Sequence, residues 1–282
     1  MQIPLEDGLM DVIGKAAAGM GMNATALARR TGLDEIRVQT VMDGKFESGT
    51  VMLLAEALNL HAPSLFVLAT GAWYPEQPAM EGLVQFNTPF PVPGYEEMTV
   101  NSYLVWDPHS KMAAAFDTGA NVDEMLKFIE TKKLRLASIF LTHGHEDHIH
   151  ALPKLLEATG HPKVFANETE KIPGAEPFKP GQFFSIGYLQ VETCLTSGHS
   201  PGGITYVIHG TDIPVAVVGD ALFCCSQGGA AEHYQEAIEN NKREIFSLPD
   251  EAIVCPGHGP MTTIGDEREH NPFYAAEYAA TE

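Results

Sequence analysis

The stretch that decides the fold of this 282-residue chain covers residues 141–148 and reads Leu141-Thr142-His143-Gly144-His145-Glu146-Asp147-His148. It follows the apolar run 136–141, whose length and β-branched content are typical of a buried strand. His143 and His145 can converge on one ion from a tight loop, because Gly144 lets the backbone fold closely there. Asp147 and His148 are expected to point elsewhere and to serve a second ion. A lone His-x-His pair is more often a solvated loop feature, but four potential ligands at this density favour a metal site.

Three later motifs each carry one further potential ligand just past another apolar run. His199 lies in a glycine-rich turn at residues 196–203, Asp220 ends the run 217–219, and His258 follows Cys255-Pro256-Gly257. Loops that follow strands can meet at one edge of a sheet. The sequence therefore predicts a metal centre that is assembled from four separate loops.

The ordered set of four motifs resembles the metallo-β-lactamase superfamily, specifically its glyoxalase II-like (hydroxyacylglutathione hydrolase-like) branch, over roughly residues 80 to 275. The resemblance implies an α+β fold, a four-layered αβ/βα sandwich, which the order of the predicted strands and helices also favours. It further implies the metal ligands: His143, His145 and His199 for one ion, Asp147, His148 and His258 for a second ion, and Asp220 as the bridge between them.

This mixed imidazole and carboxylate set suits two divalent ions, with zinc as the first choice and iron or manganese as alternatives. Two such ions about 3.5–4 Å apart can share a hydroxide, because metal binding lowers the pKa of water to about 7. The hydroxide would attack a carbonyl carbon while one ion stabilises the oxyanion. We therefore expect a hydrolase of a small ester, thioester or lactone, with Asp147 and Asp220 as its catalytic carboxylates; the resemblance favours a thioester.

Two other functions stay open at this point. Full-length glyoxalase II enzymes carry a helical C-terminal extension that helps to bind glutathione, whereas only residues 259–282 follow His258. The first alternative is a persulfide dioxygenase-like enzyme, in which His143, His199 and Asp220 would hold one iron. The second is a DNA-binding, metal-responsive regulator.

Residues 1–75 are predicted to form a helical domain, which leaves residues 76–282 for the hydrolase. Asn23 is a plausible N-cap, and Asp34 can cap the next helix. The spacing of the apolar residues and of Gly32 and Gly44 resembles a Cro/repressor-type helix-turn-helix domain. Residues 71–93 are rich in proline and are predicted to be a linker that leads into the first strand.

DNA is not an expected partner of this helical domain. It holds five Lys and Arg against eight Asp and Glu, which gives a net charge of −3. Its predicted recognition helix opens with Asp34 and Glu35. DNA binding draws most of its affinity from neutralised phosphates. We expect packing or self-association instead, which makes the protein a homo-oligomer through residues 1–75.

Composition limits the remaining possibilities. The net charge of −20 argues against a polyanion or an anionic membrane as a partner. The sequence has no 18-residue apolar span, and its first residues are acidic, so we expect a soluble, cytoplasmic protein. Cys224 and Cys225 are expected to be buried, inert thiols. Asp117 is either a turn residue or an acceptor that orients a ligand histidine, and His150 either lines the pocket mouth or is a solvated helix residue.

Overall fold

The structure, a computed structural model, describes residues 2–93 and 96–279, and the strands within them form two six-stranded sheets. The first sheet runs in chain order through β1 (Leu83–Pro89), β2 (Thr99–Trp106), β3 (Met112–Phe116), β4 (Arg135–Phe140), β5 (Lys163–Asn167) and β6 (Glu176–Phe178). The second has the order β12 (Thr262–Thr263), β11 (Ile253–Pro256), β10 (Val215–Gly219), β9 (Ile204–His209), β8 (Leu189–Leu195) and β7 (Phe183–Ile186). Strands β3 to β6 are parallel, as are β10 and β11.

Helices precede, connect and follow the strands. Five of the described helices come before β1: α1 (Leu9–Gly19), α2 (Ala24–Thr31), α3 (Glu35–Met42), α4 (Ser48–Ala57) and α5 (Ala62–Thr70). The later ones are α6 (Asp123–Lys132), α7 (Glu146–Ile149), α8 (Leu152–Thr159), α9 (Tyr234–Asn240), α10 (Ile264–His270) and α11 (Ala275–Tyr278). A 3-10 turn at Ala231–His233 precedes α9, and a π turn at Asn241–Ile245 extends it.

The alternation of side chains along each strand explains the layers. Phe116 and Phe140 of the first sheet stack with ring centroids 5.3 Å apart, inside a buried cluster shared with Val217 of the second sheet. The next residue in the pleat points the other way. Ala115 therefore packs beneath α6 and α8, and Val218 packs beneath the helices on the opposite side. This confirms the predicted mixed fold of two sheets with helices outside them.

The predicted caps of the N-terminal helices are present. The side chain of Asn23 accepts a hydrogen bond from the Ala26 amide at 2.9 Å, and that of Asp34 accepts one from the Ile36 amide at 2.9 Å. Gly32 ends α2 in the left-handed region with φ of 72°, which glycine adopts without strain. The segment predicted as a linker contains β1, so that part of the prediction is wrong.

The five N-terminal helices do not stand apart from the sheets. Their buried residues join one apolar cluster with Val218 of β10 and with Tyr274 near the C-terminal end. The His61 amide also donates to the carbonyl of Pro272 at 2.7 Å. Leu65 of α5 is fully buried within its own chain. Among the described residues, no helix combines the length and the apolar character that crossing a bilayer requires.

Two adjacent leucines of α4 test this packing. Leu54 is fully buried in the shared cluster, whereas Leu53 is 38% exposed. Leu54→Ala should lower the free energy of unfolding by about 2–5 kcal/mol, because it leaves a cavity. Leu53→Ala should stay within about 0.5 kcal/mol of the parent chain. Denaturant unfolding of both variants measures the difference, and equal losses would contradict the packing described here.

Candidate metal centre

All seven predicted ligands converge on one place: five lie in loops just after strands, and Asp147 and His148 lie in the short helix α7. His143 and His145 follow β4, His199 follows β8, Asp220 comes directly after β10, and His258 follows β11. They form two groups whose ligand atoms lie within 4.8 Å of one another: His143, His145, His199 and Asp220 in the first group, and Asp147, His148 and His258 in the second.

Three imidazole nitrogens of the first group face a common point. His145 Nδ1 lies 3.0 Å from His143 Nε2 and 3.1 Å from His199 Nε2. The carboxylate of Asp220 closes the group, with Oδ2 at 3.4 Å from His199 Nε2. Three ring nitrogens and one carboxylate oxygen are a common ligand set for a divalent transition metal.

The second group shares Asp220 with the first. His148 Nε2 lies 3.2 Å from Asp220 Oδ1, and His258 Nε2 lies 3.5 Å from Asp220 Oδ2. Asp147 Oδ2 is 3.3 Å from His258 Nε2 and 3.6 Å from His148 Nε2. Asp220 therefore stands between the two groups, where a bridging ligand would have to be.

Backbone carbonyls fix which nitrogen of two histidines faces the centre. His199 Nδ1 donates to the carbonyl of Gly229 at 3.0 Å, and His258 Nδ1 donates to the carbonyl of Thr99 at 2.6 Å. Because a carbonyl can only accept, each neutral ring carries its proton on Nδ1. Nε2 is thereby left with a lone pair that is directed into the centre.

Asp117 fixes two more histidines in the same way. Its Oδ2 accepts from His148 Nδ1 at 2.8 Å and from the Thr142 hydroxyl at 2.7 Å. That hydroxyl in turn accepts from His143 Nδ1 at 3.0 Å. The orienting role proposed for Asp117 thus agrees with its contacts, and its φ of 55° is one that aspartate tolerates better than most residues.

The resulting arrangement suits a cation. His148 Nε2 and Asp220 Oδ1 are buried and have no hydrogen-bond partner among the described residues, although they lie 3.2 Å apart. In a neutral His148 ring the proton lies on Nδ1 toward Asp117, and Nε2 faces Asp220 as an acceptor. Burial lowers the pKa of His148, but Asp220 and Asp117 outweigh burial and raise it to about 10, so a proton on Nε2 supplies the positive charge when no metal ion does. Two buried acceptors that face each other are costly unless a positive charge lies between them. The residues present therefore fit the divalent ions that this ligand set implies.

The charges at the centre point the same way. Burial raises the pKa of Asp220, but His258 and His148 outweigh burial and hold it well below its usual range. Burial lowers the pKa of His143 far below its usual value, and His148 adds to this. At neutral pH the centre accordingly presents an ionised Asp220 and a neutral His143, the forms that bind metal. Burial lowers the pKa values of His148 and His258, but the carboxylates beside them raise both, so these two rings would release a proton when a metal ion binds.

Sequence reasoning missed Glu170, which joins the two loops of the first group. Its Oε2 accepts from the amide of Gly144, between His143 and His145, at 2.8 Å. Its Oε1 accepts from the amide of Gly202 at 2.8 Å and from the hydroxyl of Ser200, next to His199. No local motif marks this residue, because its partners are backbone amides 26 and 32 positions away.

The cysteines stand apart from both groups. Cys224 is buried, and burial raises the pKa of its thiol well above the usual value. Glu267, beside it, already accepts from the amide of Cys225 at 3.0 Å, the hydroxyl of Thr262 at 2.9 Å and the side chain of Asn271 at 2.8 Å. These contacts agree with the predicted inert thiols.

His150 lies outside the centre. Its side chain is 51% exposed, with Nδ1 3.7 Å from a Glu146 carboxylate oxygen and its ring centroid 5.5 Å from that of Phe90. It makes no contact with the seven ligands in the described structure.

Comparison with known proteins identifies the family. Residues 95–258 match the model of the Metallo-beta-lactamase superfamily. The chain belongs to this superfamily. It is 31% identical over 199 residues to a probable metallo-hydrolase of Streptococcus pyogenes, covering 61% of this chain and 84% of the relative. It is 30% identical over 210 residues to hydroxyacylglutathione hydrolase GloC of Haemophilus influenzae, covering 65% of this chain and 95% of the relative.

One solved structure bears on the metal. TTHA1623, crystallised in a di-iron-bound form, is 26% identical with a TM-score of 0.53; the match covers 71% of this chain and all of that one. The superfamily binds divalent metals. This chain has two groups of His and Asp residues that could hold such ions.

Glu170→Gln tests the link between the two loops. The variant puts an amide nitrogen where one of the carboxylate oxygens accepts hydrogen bonds, so metal affinity should fall by about 10- to 100-fold, as for other outer-shell partners. Competition with a chelator measures the affinity. Glu168→Gln, an exposed neighbour, is the matched control. A Glu170→Gln variant that binds metal as tightly as the control would refute this positioning role.

Proposed function

We propose that the chain is a dinuclear metal-dependent hydrolase that cleaves an ester or thioester bond in a small molecule. The observation that carries the proposal is the place of Asp220 between two ligand groups, with Oδ1 toward His148 and Oδ2 toward His199 and His258. The second group, Asp147, His148 and His258, offers a ligand set for a second ion.

One ion would be held by His143, His145 and His199. The other ion would be held by Asp147, His148 and His258, and Asp220 would bind both. When bound, such a pair of ions supplies Lewis acidity and an activated water, which is the chemistry that hydrolysis of an acyl bond requires. Zinc fits the ligand set, and iron or manganese fits it as well. The di-iron form of TTHA1623 supports keeping iron among the candidates.

Asp147 and Asp220 are the proposed catalytic carboxylates. Burial raises the pKa of Asp147, but its hydrogen bond with His258 and the nearby His148 bring it below the usual value. An ionised Asp147 can orient a water molecule or accept its proton at Oδ2, which lies 3.3 Å from His258 Nε2. Asp220 is ionised for the same reason and is more deeply enclosed.

The hydroxyls beside the centre do not form a nucleophile–base pair. The Thr142 hydroxyl donates to Asp117, and the Ser200 hydroxyl donates to Glu170. Each proton is therefore directed to a carboxylate that orients other groups. The histidine nitrogen at the Thr142 oxygen, His143 Nδ1, donates to it and so does not act as the base that a serine hydrolase needs. This supports attack by water rather than by a side chain.

A thioester is the favoured substrate class. Its support is the similarity to hydroxyacylglutathione hydrolase GloC, at 30% identity over 95% of that relative. An ester or a lactone has the same acyl carbon and oxyanion and is the nearest alternative. A persulfide dioxygenase-like reaction would need one iron on His143, His199 and Asp220, and would leave the buried acceptors of His148 and His258 without a role.

The N-terminal helices are proposed as a packing module, without DNA as a partner. Arg37, the single cation of α3, already pairs with Glu47 at 2.9 Å, and Glu35 of the same helix accepts from Thr25. Ile36 and Met52 are 77% and 56% exposed, so a homo-oligomer through residues 1–75 stays a prediction.

Metal content and activity together test the proposed function. Elemental analysis of the purified chain should give close to two metal ions per chain, because both ligand groups are complete. Removing them with a chelator should abolish hydrolysis of an acyl-glutathione thioester, and adding zinc should restore it. One iron per chain with oxygen consumption on a persulfide would replace this proposal with the dioxygenase.

Asp220→Asn tests the bridge. The variant removes the negative charge shared by the two groups, so metal content should fall and turnover should drop by more than about 100-fold, beyond the cost of losing an outer-shell partner. Asp212→Asn, at an exposed position between β9 and β10, is the control. Circular dichroism checks the fold, and unchanged metal content and turnover would show that the bridge is misassigned.

A further inference from the structure

One loop carries several supports of the metal centre. Residues 221–229, here called the 221–229 loop, begin just after Asp220 and end at Gly229, whose carbonyl orients His199. A Cβ at Gly228 would lie 1.9 Å from the Asp220 carbonyl oxygen, so the loop returns to within contact distance of its own start. Its Phe223 ring lies edge-on to His258, with centroids 5.6 Å apart.

The N-terminal helical segment holds this loop by a partly buried ion pair between Lys15 and Asp7. Lys15 of α1 donates to Asp7 and to the Gln227 carbonyl at 2.8 Å, and its ammonium lies 4.9 Å from the centroid of Phe223. Asp7 also accepts from the hydroxyl of Ser226 and is 7% exposed. Apart from the Lys15–Asp7 pair itself, each of these contacts joins the segment before β1 to a residue of the 221–229 loop.

Two more contacts bring the same segment to the centre. Glu6 Oε2 lies 4.0 Å from His258 Nδ1. On the other side, Gly19 at the end of α1 sits so close to Tyr234 of α9 that a Cβ there would lie 2.2 Å from the ring. Ala237 of α9 packs equally closely on Gly198, beside His199. Helix α1 thus supports the His199 loop from behind.

We propose that Lys15 and Asp7 are positioning residues of the metal centre, which hold the 221–229 loop so that Gly229 and Phe223 orient His199 and His258. The N-terminal helices are then a working part of the hydrolase rather than an independent appendage. The inference rests on the proposed metal centre, but it makes its own claim about the loop.

The physical reason is the cost of a buried charge. Lys15 and Asp7 neutralise each other. The Lys15 ammonium also donates to the Gln227 carbonyl and lies over the ring of Phe223. Removing the ammonium leaves the buried Asp7 carboxylate with only the Ser226 hydroxyl, an arrangement that is costly unless the loop moves. A shift at Gln227 is transmitted to Gly229, two residues later, and so to His199.

Lys15→Met in the full-length chain tests this, because methionine keeps the apolar stem over Phe223 and removes the charge. Amides of the 221–229 loop should exchange with deuterium at least about tenfold faster. The dissociation constant for cobalt, measured by chelator competition, should rise by about tenfold or more, with a changed d–d absorption band. Lys45→Met, at an exposed position between α3 and α4, should change neither quantity.

Asp7→Asn is the second variant, because it keeps the shape of the side chain and removes the partner charge. It should reproduce both effects, and the thermal midpoint of each metal-free variant shows whether the chain is folded. Cobalt affinity equal to that of Lys45→Met would overturn the proposal, even if the loop exchanged faster. If the parent chain bound no cobalt, the proposed metal centre would fail and this inference with it; normal parent binding with unaffected variants would refute the inference alone.

Discussion

The constraint on which this structure depends is the meeting of several buried acceptors at one point. His148 Nε2 and Asp220 Oδ1 are buried, lie 3.2 Å apart and have no other hydrogen-bond partner among the described residues. Such a cluster is stable only with positive charge inside it. Asp117, Thr99 and Gly229 accept hydrogen bonds from the Nδ1 atoms of three surrounding histidine rings. The Nε2 atoms of these rings are therefore directed toward the centre, where they can bind cations.

The sequence predicted the ligands because each one is local to a short motif. A strand that ends in two or three ligand types can be recognised without its neighbours, and strands β4, β10 and β11 are apolar enough to be seen. The supports were harder to find. Gly229 and Thr99 act through backbone carbonyls, which have no side-chain signature, and Glu170 acts on amides of two distant loops.

The same distinction applies to the fold. Strands β2, β3 and β9 are apolar along most of their length, so a sequence pattern can reveal them. Strand β1 lies in a proline-rich stretch that reads as a linker, and its central residues are only half-buried. Strands β6 and β12 have three and two residues, so their pairing is decided by the neighbouring strand rather than by any period of their own.

The N-terminal helices show what a helical pattern leaves undetermined. An amphipathic face indicates that something must cover it, but not whether the cover is another helix, a second subunit or the sheet of the same chain. Here the cover includes Val218 and Tyr274 of the hydrolase. Val218 lies in β10, two residues before Asp220, which directly follows this strand. Stability of the helices and geometry of the centre are for that reason coupled through β10, whatever further partners the exposed side of the helices has.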